Sequence, residues 1–140
     1  TDRYTEVPIL PQPSNQFIDR ELYTWEHCYA PTWLPNGHKI ATTEASKQYI
    51  SVIYQSDACK LSFDQYPASS HSTMQVDSEN ALVSKSIQIG DSDALLNVKE
   101  YPTETVTTIV WQCGTMLLCV VTTDTSEVAI QFAQSIKVLR

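Results

Sequence analysis

Glycine is scarce in this chain: three residues in 140, at positions 37, 90 and 114. Glycine-rich phosphate-binding loops and collagen-like or linker-like character are therefore excluded. Cations are also few. Nine Lys+Arg stand against sixteen Asp+Glu, for a net charge of −7, which leaves no excess to neutralise phosphates, so nucleic acid is not an expected partner. No apolar run approaches the roughly 20 residues of a membrane-spanning helix. The longest, Met116 to Val121, is strand-sized. Any membrane tether is expected outside these residues. There is no C-x-x-C pair for zinc or thioredoxin-type chemistry, no G-x-S-x-G elbow and no Asn-x-Ser/Thr sequon. The close acidic pairs, Asp77/Glu79 and Asp91/Asp93, lack the offsets and glycine of a calcium loop and read as turn formers. No metal or cofactor is expected.

What is present points to one folded domain. Apolar residues make up 42% and charged residues 18% of the chain, which rules out intrinsic disorder. The first residue is Thr rather than Met, as expected of a processed or excised piece. Residues 1–16 carry prolines at 8, 11 and 13 and read as an extended stalk. The domain proper is assigned to 17–140. Within it, Phe17, Ile18, Leu22 and Trp25 recur at helical spacing, enough for a short turn. Residues 22–37 are aromatic and interrupted by Pro31 and Pro35, and read as an irregular segment closing in a turn at Asn36-Gly37.

From His38 the texture is that of strands. HKIATTEA, QYISVIYQS and CKLSFDQY alternate and are joined by short breaks, so they should form hairpins. Ile50, Val52 and Tyr54 share a face, as do Leu61 and Phe63. Pro67 to Asn80 is a polar, unpatterned loop, expected to be the most mobile internal stretch. A second set follows: ALVSKSIQI, a turn at Gly90-Asp91, DALLNVKEY, a turn at Pro102-Thr103, then VTTIVWQ and TMLLCVVTT. Placing Cys113-Gly114 at the last tip puts Trp111 opposite Met116 and Ile109 opposite Leu118. Both faces of that hairpin are apolar, which predicts a central position covered on both sides.

The C-terminal end reads as a helix over 125–138. Asp124 is the expected N-cap and Glu127 the third helical position of a capping box. Val128, Ala129, Phe132, Ala133, Ile136 and Leu139 form the buried stripe, and Lys137 and Arg140 complement the dipole. The predicted fold is thus α+β: one largely antiparallel, mainly meander sheet of six or seven strands with a C-terminal helix packed on one face.

Chemistry is harder to find. The histidines at 27, 38 and 71 lie beside no evident nucleophile, since neighbours in extended chain point to opposite sides. The four cysteines, at 28, 59, 113 and 119, read first as free thiols that pack like small hydrophobes. If one disulfide forms, Cys59 and Cys113 are the pair most able to meet. Eight of thirteen aromatics precede residue 55. Such a cluster usually closes one end of a core, but Trp25, Tyr29 and Trp33, with His71 from the polar loop, are the residues from which a binding surface would be built.

Three segments together resemble one family: YAPTWLPNGHKI (Tyr29 to Ile40), IYQSDACKLSFDQYP (Ile53 to Pro67) and IVWQCGTMLLCVVTTDTSEVAIQFAQSIK (Ile109 to Lys137). The family is domain of unknown function 4367, found mainly in Gram-positive bacteria and commonly C-terminal to a transmembrane helix. The resemblance covers about residues 22–138, with His38 where Tyr is usual. It implies an extracytoplasmic domain of a membrane-anchored protein and supplies no catalytic residues. The function expected is a non-enzymatic sensor or binding domain for an envelope component or protein. One alternative is a carrier of apolar or lipid ligands between sheet and helix, which would need a large apolar cavity there. The other is a hydrolase of cell-envelope polymers, needing polar groups that converge in a cleft near the 67–80 loop.

Overall fold

A computed structural model describes residues 28–46, 48–68 and 81–138. The stalk, the early helical turn and most of the 67–80 loop lie outside the described residues. Seven strands form one antiparallel sheet: β2 (Lys39–Ala45), β3 (Ile50–Gln55), β4 (Lys60–Pro67), β5 (Ala81–Ile89), β6 (Ser92–Glu100), β7 (Thr105–Cys113) and β8 (Met116–Thr122). Their spatial order is β2-β3-β4-β8-β7-β6-β5. Two meanders, β2-β3-β4 and β5-β6-β7-β8, are thus zipped together by pairing of β4 with β8. The chain leaves β4 inside the sheet and re-enters at the far edge as β5.

The hairpin turns follow from local chemistry. Gly90 and Gly114, in the β5–β6 and β7–β8 turns, have positive φ (60° and 59°), a region that other L-residues adopt only with strain. Ser46 and Ser56 each close a loop in the same way. The Oγ of Ser46 accepts from the N–H groups of Gln48 and Tyr49, and that of Ser56 from Ala58 and Cys59. Short serine-capped loops fix the β2–β3 and β3–β4 registers without needing glycine.

One face of the sheet is the core. Ile50, Val52, Tyr54, Leu61, Phe63, Ile109, Leu118 and Val120 are buried, as the alternation in β3, β4, β7 and β8 predicts. Helix α1 (Ser126–Gln134) lies across this face with Ala129, Phe132 and Ala133 buried. The Phe132 ring meets those of Tyr54 and Phe63 edge-on, each at 5.9 Å between centroids, an arrangement that aligns ring edges with ring faces.

Four details correct the sequence reading. First, the sheet is not the only one. β1 (Tyr29–Pro31) and β9 (Ile136–Val138) form a second, two-stranded antiparallel sheet. Second, the helix stops at Gln134 rather than 138. Ser135 caps it, with its N–H and Oγ both donating to the Phe132 carbonyl at 3.0 and 2.8 Å. Ile136 is half-buried in β9, Lys137 belongs to that strand, and Leu139 and Arg140 lie outside the described residues. Third, the N-cap is Thr125, whose Oγ1 accepts the Val128 N–H at 3.2 Å. Asp124 stands one residue earlier and accepts the Thr125 N–H at 2.7 Å, so Glu127 is the second helical residue and no capping box forms. Fourth, the β7–β8 loop is Gly114-Thr115, which pairs Cys113 with Met116, Trp111 with Leu118 and Ile109 with Val120. The slip of two keeps every side chain on its predicted face. The hairpin is central as expected, but Val110, Leu117, Cys119 and Val121 on the second face are half-buried. Among the described residues, no helix or strand crosses that face.

Candidate functional site

Tyr29 and Trp33 sit at the end of the core formed by the small sheet. Both are half-buried and pack against core residues. Tyr29 is held at three points. Its backbone N–H donates to Gln65 Oε1 and its carbonyl accepts from Gln65 Nε2, both at 2.8 Å. Its hydroxyl donates to the Cys113 carbonyl at 3.4 Å. Contact with Cys113, followed by burial, pushes the phenol up to about 12. Gln65 is fully buried; its amide takes the place of a neighbouring strand and ties β1 to β4. Tyr29 is therefore a structural tie, and its backbone offers nothing to a ligand. Trp25 and His71, the other members of the expected surface, lie outside the described residues.

His38 is buried behind the Asn36-Gly37 turn, with Nδ1 3.4 Å from the Asn36 carbonyl and Nε2 without a hydrogen-bond partner. Beside that turn is an open hollow of about 740 Å³, lined by residues including Asn36, Lys39, Gln55 and Asp57. A smaller one of about 290 Å³ lies under the β3–β4 turn, lined by residues including Lys60, Glu104 and Thr123. Both are walled by turn residues and the strand ends beside them, and neither is lined by residues of α1.

No disulfide links any of the four cysteines. Cys59 precedes β4 at the end of the sheet where β8 finishes, while Cys113 faces Met116, which in turn pairs with Pro67 at the other end of β4. The two hairpin tips point in opposite directions, so the Cys59–Cys113 pairing has no geometric basis.

The outer face carries a row of residues directly opposite one another across all seven strands: Glu44, Ser51, Asp64, Cys119, Val110, Leu95 and Ser86. Burial raises the Asp64 carboxyl above the usual carboxylate range; a hydrogen bond with Ser51 opposes this and Glu44 adds to it. Its Oδ1 has no hydrogen-bond partner. Burial and the Asp64 charge push the Cys119 thiol up to about 12. Such a thiol stays protonated at neutral pH and is a poor nucleophile. Tyr66 is also pushed up to about 12, first by burial and then by Asp64, and its ring lies 6.1 Å from that of Tyr49. Asp64 thus raises the proton affinity of Cys119, the opposite of what a base does for its nucleophile. Among the described residues, no three His, Cys, Asp or Glu side chains converge to hold a metal, and no helix is long and apolar enough to cross a membrane.

The profile of a family described as "Domain of unknown function (DUF4367)" matches residues 28–136. The chain belongs to the DUF4367 family. The match begins at the first described residue, spans β1 to α1 and ends at the first residue of β9. No curated protein matches the DUF4367 chain. Among solved structures it is similar to one titled "Crystal structure of MucB in complex with MucA(peri)", at 15% identity and a TM-score of 0.42. The alignment covers 78% of this chain and 35% of that one, so this chain spans about a third of that protein's length.

Proposed function

We propose that this DUF4367 chain is a non-enzymatic binding or sensor domain, displayed outside the cytoplasm by a membrane-anchored protein. The observation that carries the reading is the closed helix–sheet seam. Phe132 fills it between Tyr54 and Phe63, and Ala129 and Ala133 let α1 approach closely. A carrier would need several hundred Å³ of apolar space in that seam, where these rings are in contact. With that seam closed, the domain meets other molecules through its faces and edges, and its partner is an envelope component or a protein. The extracytoplasmic setting rests on the family resemblance, and the tether lies outside these residues. Co-sedimentation of the full chain with isolated envelope fractions tests the reading. Saturable retention, with the envelope polymer left intact, is expected. Absence of saturable retention, or release of soluble polymer fragments, would contradict it.

A further inference from the structure

Among the described residues, strand β5 ends the sheet and pairs only with β6. It is nine residues long, so one side of its backbone presents a row of N–H and C=O groups to solvent. It is also where the core is left unfinished. The inner-face row Val52, Phe63, Val120, Ile109 and Leu96 is buried until it reaches Lys85, which is exposed. At the same corner Leu82 is 61% and Val83 36% exposed, and Tyr101, in the turn after β6, is 47% exposed. A bulge between Ala81 and Val83 accommodates Leu82 as an extra residue. The opposite edge, β2, is shorter and carries both Lys39 and Glu44; β5 carries no carboxylate.

We infer that the β5 edge is a docking site for an extended segment of a protein partner. That segment adds an eighth strand, with apolar residues on the inner face beside Val83 and Ile87 and a carboxylate opposite Lys85. The inference rests on the binding reading above and names its surface. Main-chain hydrogen bonds give affinity in strand addition, and alternate side chains give specificity. Lys85 decides the occupant. Self-pairing of β5 along its full length, about a two-fold axis at its midpoint, sets two lysines face to face, which is destabilising. An inward-facing lysine at an edge repels chance strands and a second copy alike. It admits a strand that brings the opposite charge.

The probe is a set of labelled peptides nine residues long, the length of β5, alternating Val and Thr, with Glu, Gln or Lys at the central inward position. Binding to the full chain is read by fluorescence anisotropy and located by amide hydrogen exchange. The Glu peptide is expected to bind best, about fivefold better than the Lys peptide, and to protect amides within 81–89. Lys85→Glu should reverse that order, and Leu82→Glu should weaken all three; both positions are exposed, so the fold is retained. Protection confined to 39–45 would overturn the assignment to β5. A dimer with 81–89 already protected, without peptide, would overturn the choice of a foreign partner. If no peptide binds while envelope retention persists, the edge is wrong and the binding reading stands; if retention is also absent, both fall.

Discussion

Gln65 offers the sharpest test of how the two sheets are joined. β1 and β9 are three residues each, too short to hold together alone. The fully buried amide of Gln65 supplies both a donor and an acceptor to Tyr29, at 2.8 Å each. Gln65→Leu conserves most of the volume but leaves the Tyr29 N–H and C=O without partners. A hydrogen bond nets about 0.5–1.5 kcal/mol, and an orphaned buried partner costs about 1–3 kcal/mol. Part of that cost is offset by burying an apolar side chain in place of an amide. A net loss of about 2–4 kcal/mol follows, lowering Tm by on the order of 10 °C in a chain of this size. Gln65→Glu adds a pH signature. Its carboxylate accepts from the Tyr29 N–H but cannot donate to the carbonyl, and burial raises its folded pKa above the unfolded value. The penalty is then full above the folded pKa and absent below the unfolded one. The Gln65→Glu deficit should shrink on acidification, while that of Gln65→Leu stays constant. Thermal melts across pH, with amide exchange at Tyr29 and Ala30, give both readings. A Gln65→Leu melt indistinguishable from the parent, with unchanged exchange at Tyr29, would show that Gln65 does not join the sheets.

Three further outcomes follow from the packing and titration of the sheet. Trp111→Ala and Phe132→Ala each remove a buried ring and should cost about 3–5 kcal/mol, measured by urea unfolding. Asp64→Asn should stabilise the chain at neutral pH: the raised carboxyl pKa makes its ionised form a penalty that is full above the folded pKa and lost below the unfolded one, so the gain should vanish in acid, with unfolding midpoints at the two pH values deciding it. All four cysteines should alkylate after unfolding without reductant, whereas in the native chain at mildly alkaline pH the fully buried Cys28 and the high-pKa Cys119 should resist, which intact mass would reveal.

Much of the sheet was legible because it is built from alternation. Ile50-Val52-Tyr54, Leu61-Phe63 and Ile109-Trp111 announce their shared face, and short glycine or serine breaks announce hairpins. The β7–β8 register slipped because Gly114 can stand first or second in a two-residue loop, yet the slip was even and the faces survived. β1 and β9 were not legible. Three residues show no period, and their pairing joins Tyr29 to Val138 across nearly the whole described chain. Ile136 falls four residues after Phe132, which reads as one more helical turn; only the strand waiting at β1 makes it extended. Gln65 left a trace, a polar residue continuing the Leu61-Phe63 alternation, but its partner is a backbone and carries no sequence signal. For the β5 edge the trace was Lys85 among Val83, Ile87 and Ile89, a charge on an apolar face. Its meaning depends on β5 lying at the edge, which follows from the jump after β4 and not from any local pattern.

The proposed docking strand makes one sheet edge the working surface of this domain. Amide exchange of the full chain, followed with and without the envelope fraction that retains it, tests this most directly. Slowed exchange within 81–89 is expected, with the buried strands β4 and β8 unchanged. Retention that leaves 81–89 as open as in the free chain would contradict it.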